Sequence, residues 1–166
     1  MKANVRKLIL PAFLLAILTS AVPASATGTA YTFNLLGPNT AEAPSGDFAG
    51  DTIRLTGSGS FDTAALTVEG SGSFRHIKAD GSVFARGTWQ ATAFVSFTPY
   101  GGPSPGFQGG ELAILVTLFP AGGAPVSGVP MTVLCDVGSP PPGVHEGTTL
   151  DGFTHKTGGL TLFHLA

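Results

Sequence analysis

Four histidines follow residue 26: His76, His145, His155 and His164. The last three stand ten and nine residues apart, close to Glu146 and Asp151. A metal site needs imidazoles and carboxylates converging at about 2.0–2.2 Å from one ion. Residues nine or ten apart can meet across a β-hairpin, but this spacing fits no ligand signature. Separate surface or half-buried histidines are therefore expected, with no metal and no cofactor. Serines are numerous, yet none lies in a Gly-x-Ser-x-Gly at a strand-to-helix turn. Gly57-Ser58-Gly59-Ser60 and Gly70-Ser71-Gly72-Ser73 read as strands whose serines face solvent. Their Gly-x-Gly spacing is no dinucleotide fingerprint, because no helix follows to receive a pyrophosphate. Glu111, Asp136, Glu146 and Asp151 have the right type for general acid–base work, but acids on a net-acidic surface are ordinarily just solvated. Arg54, Arg75 and Arg86 fall on the polar faces of neighbouring strands. They could gather an anion; cross-strand pairing with Glu69 or Asp51 is the expected use.

The chain begins with a cationic start at Lys2, Arg6 and Lys7. An apolar run from Leu8 to Val22 follows, interrupted by Pro11, Thr19 and Ser20, and then Pro23 and Ala24-Ser25-Ala26. This order of features is that of a secretory signal, with cleavage expected between Ala26 and Thr27. The run falls short of the ~20 apolar residues of a membrane span, and no cysteine stands at the cut site to take a lipid. Residues 27–166 then form one exported domain with five basic and ten acidic residues, a net charge of −5. The basic residues are scattered along the sequence, so the clustered cationic face of a nucleic-acid binder is not expected. Cys135, the single cysteine, excludes an intramolecular disulfide and reads as a small buried apolar residue.

The 24 glycines and 13 prolines, with abundant Ser, Thr, Val and Phe, favour short strands joined by turns and break any helical period. Ile53, Leu55, Gly57, Gly59 and Phe61 alternate with polar residues. After a turn at 62–65, Leu66, Val68, Gly70, Gly72 and Phe74 repeat the pattern, which predicts one hairpin. Beyond Asp80-Gly81, one face is assigned Val83, Ala85, Gly87, Trp89, Ala91, Ala93, Val95 and Phe97. Residues 98–110 read as a loop. Residues 112–119 are apolar on both faces, which predicts a central strand covered on each side. A strand at 131–137, a short one at 148–155, a turn at Gly158-Gly159 and a last strand at 160–165 complete the chain, with an early strand at 30–36 pairing to the last. Seven or eight strands predict an all-β, small antiparallel β-barrel, with a β-sandwich as the alternative. An outer-membrane barrel would need an apolar band ringed by aromatics, which Tyr31, Tyr100 and Trp89 alone do not supply.

The stretch 56–87, with its two Gly-Ser-Gly-Ser-Phe segments and Ala85-Arg86-Gly87, resembles the glycine-rich hairpins of dirigent and allene-oxide-cyclase-like β-barrels. The chain as a whole resembles small secreted β-domain proteins of bacteria and archaea. The first resemblance implies an eight-stranded barrel with an apolar cavity and transfers no catalytic residue. The expectation is an exported, non-enzymatic β-barrel that binds a small apolar ligand or an extracellular protein partner, with no nucleic acid and no membrane span after cleavage. Its ligand-binding residues would be Trp89, Phe61 and Phe74 inside, with Arg86 and Arg54. The alternative is an isomerase or cyclase-type enzyme at the barrel mouth, which requires two or more of Arg54, Arg86, Glu111, Asp136, Glu146, Asp151, His145 and His155 to converge in one pocket. Gly57, Gly59, Gly70 and Gly72 on the inner face either make room for aromatic rings in a filled core or line a cavity.

Overall fold

A chain patterned every second residue and punctuated by glycine satisfies its backbone only by pairing strands. The computed structural model describes residues 30–104 and 106–166, and the signal expected at 1–26 lies outside the described residues. Eight strands follow one another: β1 (Ala30–Glu42), β2 (Thr52–Asp62), β3 (Thr67–Ile77), β4 (Val83–Gly101), β5 (Phe107–Pro120), β6 (Val126–Cys135), β7 (Gly147–Leu150) and β8 (His155–Leu165). All pair antiparallel in one sheet, in the order β4-β3-β2-β1-β8-β5-β6-β7, with β4 also bonded to β5. Six strands therefore close a ring, and β6 and β7 extend the sheet from β5. The fold is all-β, as the alternation predicts.

The ring is sealed unevenly. The β5–β8 ladder spans only Phe107↔His164 and Gln108↔Phe163. Beyond it the β6–β7 hairpin fills the gap, with β7 packed against β1 and β8. Side chains bridge that seam in place of a ladder. Buried Asn39 donates to Leu160 O (3.1 Å) and accepts from Thr148 Oγ1 (3.1 Å). Thr161 Oγ1 donates to Leu134 O (2.6 Å), and Glu146 Oε1 accepts from Thr161 N (2.5 Å).

Inside the ring the core is filled. The Trp89 ring lies on the facing pair Gly57↔Gly72, and Phe33 lies on Gly59↔Gly70. Trp89 Nε1 donates to Thr56 O at 2.9 Å. A Cβ on Gly72 would sit 1.8 Å from Thr56 O and 2.6 Å from Trp89 Nε1, and one on Gly59 would sit 2.5 Å from Phe33. The glycines thus make room for rings. Toward one end, Phe61 stacks on Tyr31 (ring centroids 5.0 Å apart) and meets Phe97 (4.8 Å).

Four local expectations are corrected. Bulges at Ala91/Ala93 and Phe94/Ser96 advance the inward set of β4 by three residues twice. Trp89, Ala91, Phe94 and Phe97 therefore pack on the core, while Val95 is exposed. Pairs such as Pro99↔Gly110 carry β4 and β5 well into the expected 98–110 loop. β5 is central in pairing but unevenly covered: Leu112, Ile114 and Val116 are buried on the inner face, while on the outer face Thr117 is buried, Ala113 and Leu115 are half-buried and Phe119 is exposed. Gly158-Gly159 is no turn, because β8 runs straight through it. Glycine is required there because a Cβ on Gly159 would lie 2.4 Å from the Asn39 side chain.

Candidate functional site

The five expected ligand residues do not share one pocket. Trp89 and Phe61 are sealed in the core. Arg54 and Arg86 stand exposed on the outer wall, separated from the interior by the sheet. Phe61 also borders a cleft of about 340 Å³ with Tyr31, Asp62 and Thr67, whereas Phe74 lines a separate cavity at the end of the ring where β2, β4 and β6 begin and β3 and β5 finish.

This mouth encloses about 350 Å³. Its inner wall is Ile53, Phe74, Ala85, Leu118 and Val129, the inward positions of five strands. The β1–β2 connection brings Phe48 over it, held by the bonds Ala43 N→Asp51 O and Asp51 N→Phe48 O. The turn after β7 brings Phe153, which bridges back to Leu150. Phe48 is 41% and Phe84 54% exposed, so the aromatic rim stands open to solvent.

His76 and Asp151 are the polar residues lining it, and His76 stands in the strand wall. Val68, Gly70, Gly72 and Phe74 face inward along β3, and the next inward position is His76. Its Nε2 lies 2.7 Å from Asp51 Oδ2, and Asp51 Oδ1 accepts from Ala79 N at 2.9 Å. An ionised carboxylate only accepts, so the hydrogen-bond network places a proton on Nε2, and in the neutral imidazole this leaves Nδ1 as an acceptor. Among the described residues Nδ1 makes no hydrogen bond, and no buried side-chain nitrogen or oxygen there lacks a partner. Nδ1 is therefore open to the cavity. Phe48 and Phe153 meet the imidazole edge-on at 4.9 Å, and Phe84 lies 4.7 Å away. The site combines apolar walls, three phenyl rings, an imidazole of fixed orientation and Asp151, which suits a small, largely apolar molecule bearing a hydrogen-bond donor.

Of the candidate acids Asp151 lines this mouth, and the other polar candidates lie elsewhere. His155 Nδ1 is 3.7 Å from Glu42 on the surface, and His164 packs edge-on against Phe107. Glu111, Asp136, Glu146 and Lys156 gather at the β6–β8 seam. Burial lowers the Lys156 ammonium pKa, while Glu111 and Asp136 oppose that shift. Burial raises the Tyr100 phenol, whose hydroxyl reaches Glu111 at 3.3 Å. Cys135 is buried, and that burial raises its thiol pKa. A cleft of about 600 Å³ beside the seam is lined by His145, His155 and Lys156 but by none of these carboxylates.

Burial also holds the Glu146 carboxyl above its usual range, with neighbouring Asp136 adding to the shift and the Thr161 N–H opposing it. A raised carboxyl contributes its full stability below its unfolded value, near 4.5, and loses it as pH rises through the folded value. Glu146→Gln, which keeps an acceptor for Thr161, is expected to raise Tm at neutral pH, the gain fading as pH falls toward 4.5. Glu146 is half-buried, so the gain stays below ~1 kcal/mol, or about 4 °C. Paired thermal melts at neutral and acid pH check this, and a gain that grows on acidification contradicts it.

Comparison with protein-family models, with curated proteins and with solved structures finds no match to this chain.

Proposed function

We propose that the chain is an exported, non-enzymatic binding protein whose ring mouth takes a small, largely apolar ligand bearing one hydrogen-bond donor. The observation that carries this reading is the cavity of about 350 Å³ walled by Phe48, Phe74, Phe84 and Phe153, with the Asp51-held His76 and Asp151 as its polar residues. Burying an apolar ring there gains roughly 25 cal/mol per Å² before the cost of immobilising it. 1-Naphthol fits that description and serves as a probe. In fluorescence titration it is expected to saturate the protein with a Kd on the order of 10–100 µM. Ala85→Trp, which fills the cavity from its wall, is expected to weaken binding at least ~10-fold with the far-ultraviolet circular dichroism unchanged. Unsaturable binding, or equal binding by Ala85→Trp, contradicts the reading.

A second reading, an isomerase or cyclase-type enzyme at the same mouth, draws on the Asp51–His76 pair. Asp51 fixes the imidazole's orientation and tautomer, and Nδ1 is free to take a proton from a bound molecule. This reading requires that a bound ligand leave chemically changed from the native protein and unchanged from His76→Asn.

A further inference from the structure

Arg54, Arg75 and Arg86 form one row across the outer wall. Arg54 is the cross-strand partner of Arg75, and Arg75 is the partner of Arg86. The expected pairing with Asp51 or Glu69 does not occur: Asp51 is committed to His76, and Glu69 lies opposite Ser60. Among the described residues none of the three arginines makes an ion pair. Three of the five cations in residues 27–166 therefore stand side by side and exposed on a net-acidic chain. Like charges directly opposite one another destabilise a sheet, so the row costs the fold stability unless an anion lies on it.

We infer that the outer wall of β2, β3 and β4 binds an acidic polysaccharide. The surroundings of the row select that partner. The next row is Thr56, Ser73 and Thr88, with the Thr56 and Ser73 hydroxyls 2.7 Å apart. Beyond it Ser58, Ser71 and Gln90 lead into an open polar groove of about 650 Å³, bordered also by Thr32, Asn34 and Glu69. No aromatic ring lines this groove, so the stacking that holds neutral sugars is missing, as are the Trp and Tyr anchors of protein interfaces. The outward positions of β2 offer Thr52, Arg54, Thr56, Ser58 and Ser60, none of them apolar, and the exposed Phe84 of β4 belongs to the mouth. Guanidinium forks and hydroxyls remain, and these match carboxylates or sulfates carried on a hydroxyl-rich chain. Adjacent strands lie about 4.8 Å apart, close to the length of one pyranose. Acidic groups on successive sugars of a chain crossing the strands would thus meet successive arginines.

Fluorescein-labelled hexagalacturonate tests this by anisotropy at low salt, with a heparin hexasaccharide run in parallel. Saturable binding that falls steeply with added salt is expected; tighter binding of the first assigns carboxylates and of the second sulfate esters. Arg75→Thr is expected to weaken binding about 10-fold, and the Arg54→Thr, Arg75→Thr, Arg86→Thr triple variant to abolish it. Ala85→Trp should bind the sugars unchanged, which separates this wall from the mouth. Arg75→Thr should also raise Tm at low salt, because it relieves the repulsion. Failure of both hexasaccharides to bind overturns the inference. So does equal binding by the triple variant, equal binding of fully methyl-esterified hexagalacturonate, or retention on phosphatidylglycerol vesicles alone.

Discussion

Gly72→Ala is expected to destabilise the protein by about 3 kcal/mol or more, the upper end of what overpacking costs. The new Cβ would lie 1.8 Å from the Thr56 carbonyl oxygen, which is backbone and already accepts from Trp89 Nε1. No rotamer change relieves such a contact; β2 and β3 would have to part where the ring is closed. Gly70→Ala lies two residues away in the same Gly-Ser-Gly segment. Its Cβ would meet Phe33 at 2.9 Å and Ser58 O at 3.1 Å, so shifts of a few tenths of an ångström suffice. A cost nearer 1 kcal/mol is expected there. Urea unfolding of the two variants measures the difference, and equal midpoints would contradict the close backbone approach of β2 and β3 at Gly72.

Trp89→Ala is expected to cost about 3–5 kcal/mol, because the residue is 1% exposed and its ring covers the glycine pair that nothing else can fill. For a domain of this size that is a fall in Tm of ~10–20 °C. Trp89→Phe keeps most of the apolar volume but leaves Thr56 O without its indole donor, so roughly 1–2 kcal/mol is expected. Calorimetry on the pair separates volume from hydrogen bond. A Trp89→Phe loss as large as that of Trp89→Ala would mean the hydrogen bond, rather than packing, holds this region.

The fold class was legible because alternation along β2 and β3 is clean and glycine removes the helical option. The corrected elements share one cause: local pattern does not record what a neighbouring strand imposes. The two bulges of β4 arise from matching β5, and nothing in residues 91–97 themselves announces them. Gly158-Gly159 looks like a turn until Asn39 from β1 is placed against it. Part of the mouth was also readable. The inward alternation of β3 reaches His76 one step beyond Phe74, and a histidine on a core face signals a partner to be found. That partner, Asp51, sits 25 residues earlier in the chain and becomes visible only once β2 and β3 are paired. Phe48 and Phe153 belong to connections, whose course over the mouth no periodicity encodes. The arginine row required the hairpin register, which the turn after Asp62 fixes geometrically rather than compositionally.

The mouth is the centre of the functional account, and the imidazole of His76 reports on it directly. Titrating ¹⁵N-histidine-labelled protein with 1-naphthol and following the four imidazoles by NMR tests it in one measurement. The account predicts that the His76 Nδ1 resonance moves with saturation while His145, His155 and His164 stay in place. A stationary His76, or uniform movement of all four, would contradict binding at the mouth.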